Sequence, residues 1–155
     1  LPEGVQRVAA YLQSHNHPHG PRMLDDAART AQQAADALGI ALGQIAKSII
    51  FRRVQDDAAV LVITSGDKRV DEKKVAAMVG DLGRADASFV KSRTGFSIGG
   101  VAPVAHASTG VVLIDRELFR FSEIWAAAGH PHAVFALTPA QLERMTGAPV
   151  AEVTV

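Results

Sequence analysis

A chain of 155 residues with 48% hydrophobic content suits one domain with a sizeable buried core. The absence of cysteine excludes disulfides, thiolate metal sites and a cysteine nucleophile, and fits a reducing compartment. Sixteen basic residues balance sixteen acidic ones, which argues against a duplex-wrapping protein, and no apolar run approaches the ~20 residues of a membrane span. The opening Leu1-Pro2-Glu3-Gly4 lacks the basic and apolar regions of a signal peptide, so a soluble cytoplasmic protein is expected.

The first predicted element is an amphipathic helix. Val5, Val8, Ala9 and Leu12 follow helical spacing behind Pro2, and the pattern runs to about Ser14. His15-Asn16-His17-Pro18-His19-Gly20 breaks it. Three histidines so close together invite a metal reading, but no carboxylate completes the set and Pro18 splits it, so a surface turn is expected. Thr30-Ala31-Gln32-Gln33 has capping-box form. Ala31, Ala34, Ala35 and Leu38 then form an apolar stripe that Gly39 stops.

Ile45-Ala46-Lys47-Ser48-Ile49-Ile50-Phe51 reads as a strand. Alternation puts Ile45, Lys47, Ile49 and Phe51 on one side, so a lysine shares an apolar face. Lysine is almost never fully buried without a partner. Lys47 therefore either snorkels to a sheet edge or holds an ammonium at a pocket mouth. Arg52, Arg53, Asp56 and Asp57 make a polar hairpin end, followed by Ala59 to Thr64, apolar without alternation and hence a central strand covered on both faces. That strand ends at Ser65-Gly66-Asp67, a turn or a ligand contact.

Asp71 is placed to cap a helix whose Val75, Met78 and Val79 should face inward before Gly80, with Lys73 and Lys74 outward. Residues 47–93 carry ten Lys/Arg against seven Asp/Glu, a balance of +3; residues 1–46 give −1 and 94–155 give −2. That mild basic centre is a solvated surface or an edge for a polyanion. Ala87 to Arg93 should form a short helix.

Thr94 to His106 follows, with Gly95, Gly99, Gly100, Pro103 and His106. Gly99-Gly100 permits positive φ and leaves the main chain bare; Pro103 fixes its own φ and extends Ala102. The segment is either an ordinary tight connection or a shaped loop that offers N–H and C=O groups to a ligand. Val111 to Ile114 is a buried strand ending at Asp115, by default the cap of the next turn. Ile124 to Gly129 and Ala133 to Leu137 read as a strand pair around His130-Pro131-His132. Thr138-Pro139-Ala140-Gln141 repeats the capping box; Leu142 and Met145 pack inward, Gly147 ends the helix, and Val150 to Val153 is a last strand. The expected fold is a single α/β (α+β) domain with a mixed or antiparallel central sheet and surrounding helices.

No Gly-x-Ser-x-Gly elbow or Walker loop is present, and no paired set of carboxylates lies near a glycine loop. A lysine on a strand and a backbone-presenting loop remain. Together they can bind a carbonyl and stabilise a developing oxyanion; they supply no nucleophile, which leaves attack to water.

Three segments carry a resemblance: Thr30-Ala31 with Ala34-Ala35 and Leu38-Gly39, then Ile45-Ala46-Lys47-Ser48-Ile49, then Thr94 through Pro103. In that order they resemble the YbaK/ProX family, the prolyl-tRNA-synthetase-associated editing domains, over essentially the whole chain. The Ile114-Asp115 strand ending is similar too. The resemblance implies hydrolysis of the ester of wrongly charged tRNA for proline, here by a free-standing trans-editing protein, with no cofactor and no metal. Lys47 would then be the catalytic cation, on the substrate's carbonyl or terminal phosphate. Gly99, Gly100, Val101, Ala102 and Pro103 would hold the aminoacyl end, with His106, Ser65, Thr30 and Asp115 as further substrate-binding candidates. A water assisted by a tRNA ribose hydroxyl is the implied attacking group.

The helix and loop depart from the cysteine-type pattern, so alanine or a similarly small residue is the expected target, ahead of cysteine, serine and threonine. Expected partners are aminoacyl-tRNA and a prolyl-tRNA synthetase, with neither membrane nor DNA. The alternative is a non-catalytic module that binds a tRNA acceptor end or a small ligand through the same loop.

Overall fold

The computed structural model describes residues 1–108 and 110–155. In chain order the elements are α1 (Glu3–Ser14), β1 (Arg22–Met23), α2 (Ala31–Leu38), β2 (Ile45–Arg53), β3 (Ala59–Ser65), α3 (Glu72–Val79) and β4 (Leu82–Arg84). Then come α4 (Ala87–Thr94), β5 (Val111–Asp115), β6 (Ile124–Ala127), β7 (Ala133–Leu137), α5 (Pro139–Thr146) and β8 (Val150–Ala151). Among the described residues the strands form one mixed sheet in the order β1-β7-β6-β2-β3-β5-β8, with β4 also against β2.

Local chemistry accounts for most boundaries. Thr30 and Thr138 each close a full capping box, with Gln33 and Gln141 reaching back. Asp71 accepts hydrogen bonds from the N–H groups of Lys73 and Lys74 and starts α3; Asp86 does the same for α4 through Phe89. Gly39 and Gly147 end their helices in the left-handed conformation, which glycine adopts without steric cost. At the β2–β3 hairpin, Arg53 pairs with Asp56 at 2.8 Å and Arg52 with Asp57 at 2.7 Å.

The unbroken apolar run of β3 is explained by two covered faces. Leu61 and Ile63 join a large cluster with Val5, Val8 and Leu12 of α1, Phe96, Ile114, Phe135 and Leu142. Val60 and Val62 face the other way, into a smaller cluster with Val75, Leu113 and Val153.

Four expectations are corrected. Met78 is 48% exposed rather than inward, because α3 packs through Val75 and Val79 and Met78 overhangs an open hollow beside β5. Lys74 is not an outward charge: its Nζ donates to Thr154 O at 2.8 Å and Glu152 at 3.1 Å, tying α3 to the C-terminal segment. The strand expected over 124–129 stops at Ala127, where the chain turns back and the Ala128 N–H meets Ala133 O. The last strand is only Val150–Ala151, with Thr154 bridging Val70 separately.

Two short strands were not anticipated. β1 and β4 are two and three residues long, and neither holds enough alternation to stand out in a sequence. β4 nevertheless shapes the site. Along one flank of β2, β6 pairs in parallel at Ile45 and Ala46, and β4 pairs antiparallel at Phe51 to Arg53. Between them the flank of β2 has no neighbouring strand.

Candidate functional site

That gap in the sheet is where Lys47 stands. A cavity of about 300 Å³ opens there, bounded by α2 and the residues before it, β2, β6, the β6–β7 turn and the Thr94–His106 loop. Ala28, Ala31, Ala34, Val101, Ala126 and Ala133 make most of its wall apolar, and the polar side chains on it are Arg29, Thr30, Lys47, Ser48 and Trp125. No Asp, Glu or His side chain lines it among the described residues. A larger hollow of about 470 Å³ beside β5 has no charged side chain on its wall, so the chemistry points to the smaller one.

Lys47 is partly buried and, among the described residues, joins no ion pair, whereas Arg52 and Arg53 further along the same strand pair with the hairpin carboxylates. The residue is held by the seven-residue β2–β3 register, in which it opposes Thr64. An unpaired cation in a largely apolar cavity has few groups to satisfy it except an incoming anion or carbonyl.

The loop reaches the same cavity at Gly99 and Val101. Gly99 has φ +88°, a conformation that glycine adopts freely. Gly100 matters for close approach instead. A Cβ there would sit 2.8 Å from His130 Cα, so the bare glycine lets the loop lie against the β6–β7 turn. Pro131 of that turn also lines the cavity.

Other predicted contacts lie elsewhere. Ala102 is fully buried in the core. Pro103 and His106 border a separate cavity of about 280 Å³ with Tyr11 and Met145. His106 Nε2 lies 2.6 Å from Ala102 O, so Nε2 carries the proton and donates it. Burial, with a smaller contribution from Arg7, holds the His106 pKa below its usual value. Thr30 does line the cavity, while its hydroxyl oxygen accepts from the Gln33 N–H.

Ser65 and Asp115 are both fully buried and belong to the scaffold. Asp115 accepts from Thr64 Oγ1, Ser65 N–H and Glu117 N–H, which fixes the β3 and β5 ends together. Ser65 Oγ donates to Gly43 O at 2.5 Å and lies 2.8 Å from the Arg120 guanidinium, which also holds Asp67. In the histidine turn, His17 Nε2 bonds Ala136 O and the ring packs edge-on to Phe135.

Arg29, Ser48, Trp125 and Pro131 are cavity residues that sequence reasoning missed. Ser48 had a signal, a second polar residue inside an apolar strand. The other three sit on segments whose proximity to Lys47 only the fold establishes.

The chain is similar to known proteins over most of its length. The aminoacyl-tRNA editing domain family matches residues 25–145, well over half of the chain. An uncharacterized protein, YwhH of Bacillus subtilis (strain 168), is 30% identical over 143 residues, covering 92% of this chain and 90% of its own. The proline–tRNA ligase of Lactobacillus helveticus (strain DPC 4571) is 29% identical over 102 residues, 64% of this chain but 18% of the ligase. A solved structure described as a candidate trans-editing enzyme for prolyl-tRNA synthetase superposes with a TM-score of 0.94 at 37% identity, over 100% of this chain and 99% of that one. The chain belongs to the aminoacyl-tRNA editing domain family, and its activity is that of the family, deacylation of aminoacyl-tRNA.

Proposed function

We propose that this protein hydrolyses the ester of tRNA for proline carrying a small wrong amino acid, alanine foremost, and does so in trans. The observation that carries this reading is Lys47, partly buried and without an ion-pair partner among the described residues, in a cavity walled by alanines and by Gly99 and Val101. The alanines that line the cavity offer apolar contact to a short aliphatic side chain. Support for proline tRNA comes from the two kinds of relative named for prolyl-tRNA chemistry. Support for action in trans comes from the relatives that match this chain almost end to end.

In this reading Lys47 binds the ester carbonyl oxygen or the terminal phosphate, and loop N–H groups help to stabilise the oxyanion. With no carboxylate or imidazole on the cavity wall among the described residues to act as base, water attacks with help from the free hydroxyl of the terminal ribose. Water adds to the carbonyl carbon, the C–O bond to the ribose breaks, and the ribose oxygen leaves as a hydroxyl with the proton that water lost. The products are the amino acid and uncharged tRNA. The protein works in the cytoplasm, where charged tRNA is used.

A deacylation panel tests this. Proline tRNA charged with alanine, cysteine, serine or threonine should lose alanine fastest, and Lys47→Ala should lower kcat/KM by about 100-fold or more, the scale for losing one oxyanion-stabilising group. No acceleration with any of the four overturns the reading; tight binding without turnover leaves a binding module instead.

A further inference from the structure

The main-chain groups of β2 beside Lys47 alternate between its two flanks. The Arg53 N–H donates to Ala58 O on the β3 side, and the Val54 N–H donates to Asp81 O on the β4 side. In an antiparallel ladder successive residues direct their main-chain groups to opposite flanks. Arg53, Phe51, Ile49 and Lys47 therefore bond towards β3, while Arg52, Ile50, Ser48 and Ala46 point to the other flank. There β6 takes up Ala46 and β4 takes up Arg52. The Ser48 N–H and C=O face the gap between those strands, at the cavity.

The side chain of Ser48 makes the case independent of the register. Its Oγ is buried, on the cavity wall, and has no hydrogen-bond partner among the described residues. Native structures seldom leave a buried hydroxyl without a partner unless something else supplies one. Cavity neighbours such as Ala46, Val101 and Ala126 cannot.

An aminoacyl ester brings two polar features into so small a space: the ester oxygens, and an α-amino group one carbon away. Lys47 is a donor and suits the oxygens. With no carboxylate on the wall among the described residues, the α-amino group must find neutral acceptors. We infer that Ser48 is a substrate-binding residue whose hydroxyl and main-chain carbonyl accept hydrogen bonds from the α-amino group of the aminoacyl ester. This rests on the deacylase reading above. Neighbouring residues of one strand then hold the two ends of the reacting unit, which fixes the carbonyl against Lys47.

The test uses proline tRNA acylated with alanine and with propionate, the same ester lacking the amino group, and the wild-type, Ser48→Ala and Ser48→Thr proteins. Ser48→Ala should cut kcat/KM on the alanyl ester by about tenfold or more, the scale for a hydrogen bond to a charged group. The same variant should change cleavage of the propionyl ester by less than about twofold, and Ser48→Thr, which keeps the hydroxyl, should stay within about threefold of wild type on both. Equal losses on the two esters, or no loss on the alanyl ester, overturn this inference alone. Failure of the wild-type protein to cleave the alanyl ester, together with the cysteinyl, seryl and threonyl esters, overturns the deacylase reading with it.

Discussion

His106 shows how a residue can look functional and be structural. It sits three residues past Pro103, its Nε2 donates to Ala102 O, and its ring meets the edge of Phe96 at 5.9 Å between centroids. Its lowered pKa comes first from burial, then from Arg7, which lies over the Phe96 ring and bonds to the carbonyls of Thr94 and Ala105. The sign of the pH effect follows. An unfolded histidine titrates near about 6.5, while the folded one resists protonation. Stability is therefore at its full value above that pH. Below it the unfolded chain binds the proton first, and stability falls as pH drops towards the lowered folded value. His106→Gln, whose amide can still donate to Ala102 O, should give a shallower decline of Tm between about pH 7.5 and about pH 5. Parallel declines in the two proteins would show that His106 does not set this dependence.

At the scale of elements, the cavity depends on the loop and the β6–β7 turn lying against each other at Gly100. A Cβ at position 100 would meet the His130 main chain at 2.8–3.0 Å, so one of the two segments must move. Overpacking of that kind costs about 1–3 kcal/mol, and the shifted segments are walls of the cavity. Gly100→Ala should therefore lower Tm and reduce deacylation by about tenfold or more. Gly99→Ala makes a useful contrast: its Cβ would have space, with Pro131 Cγ 3.7 Å away, and only the left-handed backbone costs about 1–2 kcal/mol. Measured Tm and kcat/KM should rank Gly100→Ala as the more damaging to activity, and the reverse order would remove the packing argument. Much of this architecture was legible in the sequence. Capping residues such as Thr30, Asp71 and Thr138 act through neighbours three residues away, and the Lys47 strand is marked by one charge in an apolar run. The juxtaposition of Gly100 with His130 was not legible, because residues 30 apart meet only through the sheet order. The same holds for Ser65 and Asp115, which turn to neighbouring segments: whether a strand-end polar group faces a ligand or a neighbouring strand depends on pairing that local pattern does not contain.

For the molecule as a whole, zero net charge limits how tRNA can be held. The basic excess of residues 47–93 is partly neutralised by acids from outside the segment: Lys68 by Glu117 and Lys74 by Glu152. At the cavity itself the cations are Lys47 and Arg29; Arg29 is exposed, with its Nε lying 3.3 Å from Asp26 O. With Lys47 committed to the ester carbonyl, recognition should concentrate on the acceptor end with about one phosphate neutralised, by Arg29. Counterion release from a single strand contributes a slope of about −0.7 per phosphate in a plot of log affinity against log salt. The logarithm of kcat/KM for alanyl-tRNA should then fall with a slope near about −0.7. Arg29→Ala should make the slope nearly flat, raising KM more than it lowers kcat, since Arg29 stands at the rim rather than beside the reacting carbonyl. A wild-type slope steeper than about −4 would require six or so phosphate contacts, and tRNA would then have to lie across a broad basic surface instead of entering the cavity by its end.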